Sequence, residues 1–448
     1  MQCCHMYIPV LIIGTGIAGL SLGYKLEQLG IGHLIITKTC SPFQANTSIA
    51  PANTRILRNA DYPEEIERIA QFCGIPIQTL DNIYRRQDEI KKLYKNLGIV
   101  CKETNIGIMP DCDTRGGLEI SKRIAAKLSN IRTDLECIEI KSDEKGVSCL
   151  IYDHKTSEIF SISCSVLCVA TGGFSSLFPR NDNVNTANGN GIAMLKLAGC
   201  KTRFLSTVMI HPFGVKGGKL FLEGDVVSKC KSILCKQDDR YYLVEIPEEL
   251  MNKVKANQYH DSDSFSKLAE IFSDREIFLE FVDGNMTPIC NTFHYTSGGI
   301  VTDANFKATD NIFASGEIAA DGNKGIGRIP GHPFSLGIIS GDIIAEQIKN
   351  HCFRPFQYAH DTVIRSKLEE NKPADTSNEK SELDKVIQKL AVRLEKRISI
   401  KDSLYQSVCD LEVRLNEKIF DITSLKEYYR AYLVKEIIED TARTNNSI

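Results

Sequence analysis

His294 opens the run His294-Tyr295-Thr296-Ser297-Gly298-Gly299-Ile300, and a little further on Ala314-Ser315-Gly316-Glu317 ends an apolar stretch at a glycine and a carboxylate. A Gly-Gly pair between β-branched residues lets the backbone come close to a flat ring, and a carboxylate after a strand-ending glycine is suited to hydrogen-bond a polyhydroxyl chain. A flat ring that carries such a chain is a flavin. The first half of a nucleotide site lies at the other end of the sequence, where the apolar run Val10-Leu11-Ile12-Ile13 enters Gly14-Thr15-Gly16-Ile17-Ala18-Gly19-Leu20. A third glycine turn, Ala170-Thr171-Gly172-Gly173, follows another apolar run. These distant segments must meet in the fold.

Their positioning elements are legible in the pattern. Residues 8–38 read as strand, glycine turn, amphipathic helix and second strand, the opening βαβ unit of a dinucleotide fold. Helical periodicity follows near 64–72, 87–97 and 117–128, alternating strands occupy 135–163, and 166–170 reads as a buried strand. Residues 214–292 become lysine-rich and mixed, as an inserted domain would. From Phe293 the glycine-rich pattern resumes and runs to a helix at about 341–349. Beyond 351 the chain is helical in pattern, with Leu383, Val386, Ile387, Leu390 and Leu394 on one stripe. The expected fold is therefore α/β: a Rossmann-like nucleotide-binding domain in two parts (1–213 and 293–350), an inserted α+β capping domain (214–292) and a C-terminal helical domain (351–448).

At 448 residues the chain has room for roughly two to four domains. With 42% hydrophobic and 25% charged residues and a net charge of -3 it lacks a broad cationic field, which argues against nucleic acid and anionic membrane and for a small-molecule partner. No stretch approaches the roughly twenty apolar residues that span a bilayer. The N-terminal apolar run lacks a basic leader and a small-residue cleavage site, so it reads as a strand and the protein as cytoplasmic. Sixteen scattered cysteines then read as reduced thiols. Cys230 and Cys235 flank a short basic segment, but no second pair of suitable spacing accompanies them and no metal site is expected.

Taken together, Gly14 to Leu20, Ala170 to Gly173, Asn188-Gly189-Asn190-Gly191-Ile192-Ala193-Met194 with Ala198-Gly199, His211-Pro212, His294 to Ile300 and Gly316-Glu317 resemble, in order and spacing, the flavoprotein family of L-aspartate oxidase and the flavin subunits of succinate dehydrogenase and fumarate reductase. The resemblance implies FAD. Its pyrophosphate would face the amides around Gly16, Ala18 and Gly19, with Gly14 and Ile17 in the same turn, at a helix N-terminus where backbone dipoles favour negative charge. Thr37 and Lys38 stand where many dinucleotide enzymes carry a ribose-binding carboxylate, as members of this family often do. Ala170, Thr171 and Gly172 would border the cofactor, Glu317 would bind a flavin-side hydroxyl, and Ser335 and Leu336 would lie against the isoalloxazine. Where the family can carry a flavin-linking histidine this chain has Asn46-Thr47, and asparagine cannot form that bond. The FAD is expected to be non-covalent.

The family moves a hydride to or from flavin N5 beside a carboxylate held by cationic and imidazole groups. The matching residues are His211, His294 and Arg328, the last expected to clamp a substrate carboxylate. Several family groups are replaced: Met209 and Leu222 stand for a glutamine and a threonine, and no Pro-Arg-Asp segment supplies the arginine that donates a proton from the cap. Arg240 and Arg275 are the insert's arginines, and both read as surface residues. His332, in Pro330-Gly331-His332-Pro333, is an extra imidazole expected to serve as the missing acid or base. The expected activity is FAD-dependent oxidation or reduction of a small carboxylate or amino acid, with oxygen or an electron-acceptor protein as second partner. A dehydrogenase for another small substrate and a catalytically inactive FAD-binding subunit are the alternatives.

Overall fold

The computed structural model describes residues 5–58, 62–73, 75–258, 262–320, 329–351, 353–356, 362–370, 374–396, 398, 400 and 402–445. Its centre is the strand His5–Ile13, whose Val10, Leu11 and Ile12 are wholly buried because both faces of a parallel sheet are covered by other elements. It pairs in parallel with His33–Ile36 on one side and Ile159–Val169 on the other. Ile312–Ala314 adds to the far edge of Ile159–Val169, again in parallel, while Ile131–Arg132 extends the opposite edge. The strands Leu135–Asp143 and Gly146–Asp153 form an antiparallel meander that joins the same sheet through Ile159–Val169.

This strand order brings the distant glycine turns to one edge. Ala170 N–H donates to Ile13 O at 2.8 Å and Ser315 N–H to Val169 O at 3.0 Å, so the chain segments at 14, 170 and 315 leave the carboxyl ends of three adjacent strands. The apolar run expected at 166–170 is the end of one long strand that begins at Ile159. Gly14 leaves the first strand at φ +115°, and a Cβ there would stand 2.3 Å from Ala170 O. Only glycine fits that approach.

A second, antiparallel sheet runs in the order Val208–Val215, Met286–Thr296, Glu276–Glu280, Ser232–Gln237, Arg240–Leu243. With the helices Glu248–Lys255 and Ser262–Phe272 it encloses its own core of Phe213, Ile233, Phe265, Leu268 and Leu279. Its two longest strands run through positions 214 and 292, so the cap is rooted by continuous backbone in the nucleotide-binding part. Arg240 and Arg275 are exposed on it.

The C-terminal helices Ser377–Glu395, Asp402–Glu417 and Ile422–Asn445 bury Leu383, Val386, Ile387 and Leu390, with Leu394 half-buried, and share the main core. The last helix is also tied to the first domain by polar contacts. Ser206 N–H and Oγ–H donate to Asp440 Oδ2 at 3.0 and 2.7 Å, and Tyr429 Oη–H donates to Ile138 O. Among the described residues no helix is long and apolar enough to cross a membrane, and no group of three or more His, Cys, Asp or Glu is arranged to hold a metal ion.

Candidate active site

A cleft of about 610 Å³ opens along the carboxyl ends of the parallel strands and beneath the cap. Ligands of open α/β sheets bind at this edge. Its floor begins at the helix Ile17–Gln28, whose first turn carries no acidic residue. Thr47 Oγ1 accepts the Ile17 N–H at 2.9 Å, which fixes the Asn46–Ile49 turn against the helix start. Beside that contact the structure leaves room: a Cβ on Gly16 would meet nothing within 4 Å except Thr47 Oγ1 at 3.5 Å. This open cradle at a helix N-terminus suits a pyrophosphate.

Gly14, Gly16, Ile17, Ala18, Thr37, Lys38, Asn46, Thr47, Ala170, Thr171, Gly172, His294 and Glu317 all line this one cleft. Gly19 does not. A Cβ there would lie 2.1 Å from Gly14 O, so Gly19 lets the helix pack on the turn and the cofactor site gains it only indirectly. Glu317 Oε1 accepts from Thr296 N–H at 3.1 Å and from Thr296 Oγ1 at 3.3 Å, an arrangement that aims a fixed carboxylate at the cleft wall.

Other expectations are corrected by where the side chains point. Ser335 and Leu336 are buried in the helix His332–Ile348, and Ser335 Oγ–H donates to Arg55 O at 2.8 Å. The residues of that segment on the cleft are Gly331, Pro333, Phe334 and Gly337, one helical face away. His332, only 2% exposed, hydrogen-bonds Tyr84 Oη through Nδ1 at 2.9 Å and is absent from the cleft lining, which removes the proton-transfer role expected of it. Gly298 and Gly299 are likewise buried away from the cleft. Added Cβ atoms would stand 1.8 Å from Phe204 O and 2.1 Å from Ile318 O, so the pair serves backbone-to-backbone packing within the protein and not the approach of a ring. Gly298→Ala should accordingly cost about 3 kcal/mol of stability, the upper end of what overpacking costs, read as a lower denaturant midpoint at unchanged m.

The imidazoles lie on either side of the cleft surface. His211 is buried behind it, with Nδ1 accepting the Phe213 N–H at 3.2 Å and its ring 5.6 Å from that of His294. His294 is at the surface, and Phe221 of the cap meets its ring edge-on at 5.0 Å. Its Nδ1 pairs with Asp182 Oδ2 at 2.7 Å, and Asp182 is 7% exposed. Asn183 Nδ2 donates to Asp182 Oδ1 at 3.0 Å and to His294 O at 3.0 Å, while Asn46 Nδ2 donates to Asn183 Oδ1 and Asn46 Oδ1 accepts the Val184 N–H at 2.9 Å. Asn46 and His294 are thus joined through Asn183 and Asp182. The sequence reading missed Asp182 and Asn183, although the polar run Asn181-Asp182-Asn183, buried in full, was a signal. Arg328 lies outside the described residues.

Residues 7–199 match a family model described as FAD binding domain. L-aspartate oxidase of Clostridium acetobutylicum is 23% identical over 394 residues, covering 78% of this chain and 89% of that protein. The chain carries an FAD-binding domain and is similar to L-aspartate oxidases. In fold it is similar to a quinol-fumarate reductase structure with a TM-score of 0.79 at 15% identity, covering 98% of this chain and 90% of the other. It is also similar to adenylylsulfate reductase of Archaeoglobus fulgidus, with a TM-score of 0.69 at 14% identity over 99% and 89% of the two chains. FAD fits the geometry of this flavoprotein: an open cradle at the helix start and a carboxylate fixed at the cleft wall. With Asn46 held by Asn183 and Val184, nothing at that position bonds a flavin covalently. Acid precipitation should leave intact FAD in the supernatant, and yellow colour retained in the pellet would contradict a dissociable cofactor.

Proposed function

We propose that this flavoprotein oxidises or reduces a bond next to the carboxylate of a small carboxylic or amino acid, with His294 as the residue that takes or gives the proton. The observation that carries the reading is the His294–Asp182 pair at the cleft wall. A carboxylate accepts and does not donate, so the shared hydrogen sits on Nδ1 and proton exchange falls to Nε2. Asp182 has the role of a third group that orients a base, and Asn183 holds Asp182 in turn. Bound FAD supplies the hydride chemistry at its N5.

The protein's own contribution is to place and shield the substrate. Phe221 of the cap and Phe334 of the helix His332–Ile348 give the cleft apolar walls against which a substrate can be shielded from water. Arg115 and Glu223, both half exposed, pair at 3.1 Å between the nucleotide-binding part and the cap, a contact that contributes little to holding the two together. Arg328 is proposed, on the family resemblance, as the clamp for the substrate carboxylate. The second partner is oxygen or an electron-acceptor protein, and the setting is cytoplasmic.

Anaerobic mixing with L-aspartate, succinate and a panel of other small carboxylates and amino acids should bleach the flavin absorbance with at least one of them. If none reduces the flavin, and none of the corresponding unsaturated acids reoxidises it after chemical reduction, an inactive FAD-binding subunit becomes the better account.

A further inference from the structure

Beside Thr37 and Lys38 the cleft holds a carboxylate that none of the expected roles uses. Glu136 sits at the start of the strand Leu135–Asp143, where that strand abuts the end of the second parallel strand: Leu135 N–H donates to Thr37 O and Asp134 N–H to Thr39 O, both at 3.0 Å. Its side chain is 6% exposed yet lines the cleft beside Thr37 and Lys38. Oε2 accepts from His154 Nε2 and from Lys426 Nζ, each at 2.8 Å, whereas Oε1 faces Lys38 Nζ at 3.9 Å, beyond hydrogen-bond reach. Burial would push the Glu136 carboxyl up, but the His154 hydrogen bond and the charges of Lys38 and Lys426 outweigh it and hold the group down at about 2.

The neighbouring side chains offer a weaker acceptor or none. The vicinal diol of a ribose presents two O–H donors and calls for an acceptor. At the end of the second strand, Thr37 Oγ1 is engaged with Thr39 Oγ1 at 3.0 Å, and Lys38 is a donor without acceptor capacity. Among the other carboxylates on the described cleft lining, Asp182 holds His294, Glu317 holds Thr296, and Glu223 and Asp225 belong to the cap. We propose that Glu136 Oε1 accepts the adenosine ribose hydroxyls of FAD, so that the carboxylate usually found at the end of the second strand is supplied here by the adjoining antiparallel strand, with His154 and the C-terminal Lys426 positioning it.

The inference concerns cofactor recognition and stands apart from the reaction proposed above. Its test is equilibrium binding, followed by flavin fluorescence, to protein stripped of cofactor. Glu136→Gln should weaken FAD by about 10- to 100-fold, the range for loss of a charge-assisted hydrogen bond. An FAD analogue with 2′-deoxyadenosine should bind the wild type roughly tenfold more weakly than FAD, and Glu136→Gln should show no further loss with it. FMN, which lacks the adenosine, should bind both proteins alike. Lys426→Met should reproduce part of the loss for FAD and none for FMN. Unchanged FAD affinity in Glu136→Gln overturns the proposal. So does an equal loss for the deoxy analogue in both proteins, or an equal weakening of FMN, which would mark general damage in place of a ribose contact. A wild type that binds no FAD at all would instead remove the cofactor assignment itself, a separate and recognisable result.

Discussion

Gly16→Val is expected to give a folded protein that has lost its FAD. The space a side chain would enter at Gly16 is bounded only by Thr47 Oγ1 at 3.5 Å, and the residue sits at φ -70°, a conformation that valine tolerates. The protein itself therefore has little to lose. The cofactor does, because the added methyl groups occupy the cradle in front of the helix amides. Overpacking of about 3 kcal/mol corresponds to roughly a 100-fold loss of affinity. Gly14→Val is the contrasting case: at φ +115° and with a Cβ 2.3 Å from Ala170 O, it should damage the sheet itself. Circular dichroism with bound-flavin content separates the two. Full FAD occupancy in Gly16→Val would mean that the pyrophosphate lies elsewhere.

The second large effect is expected at His294. His294→Ala should leave FAD bound and lower the limiting rate of flavin reduction by about 10²- to 10⁴-fold, the usual worth of a positioned acid or base. Asp182→Asn should act in the same direction through the ring. An asparagine amide can turn its NH₂ toward Nδ1 and so move the imidazole hydrogen to Nε2, the wrong nitrogen for accepting a proton. Stopped-flow reduction with whichever substrate the panel identifies measures both. A His294→Ala enzyme with an unaltered limiting rate would end the proposed role, whatever happens to substrate affinity.

What could be read from the chain alone was what local pattern encodes. The uninterrupted Val10-Leu11-Ile12-Ile13 run and the glycine turn after it state a buried parallel strand feeding a helix, and residues 14, 170 and 317 do converge on one cleft. Side-chain direction at the far ends of elements was not encoded in the same way. On the helix His332–Ile348 the cleft faces Pro333, Phe334 and Gly337, and a rotation of about one residue separates these from Ser335 and Leu336. The residues missed altogether are held by partners remote in sequence. Asp182 meets His294 and Glu136 meets Lys426 across long stretches of chain, and nothing in the local composition of either partner announces the other. The Gly298-Gly299 pair shows the reverse error, in which a correct sense of close approach was assigned to a ring when the approaching groups were Phe204 and Ile318.

The order of strands also dictates when the site can exist. The phosphate turn at Gly14 to Gly19 leaves the ribosome first, but the cleft needs the end of Ile159–Val169, then Ser315 to Glu317 and then Gly337, and Lys426, which pairs with Glu136, comes later still. At about 5–20 residues per second, the interval between Gly16 and Glu317 is on the order of 15–60 s. For about 7–29 s of it, between the synthesis of Val169 and of Ala314, the Leu167–Val169 end of one strand edge waits for Ile312–Ala314, while the rest of that edge can already pair with Gly146–Asp153. Glu317, which lines the cleft, is made only after Ile312–Ala314, so contacts to it cannot shorten that exposure. The vulnerable interval of this protein is thus set by its strand order.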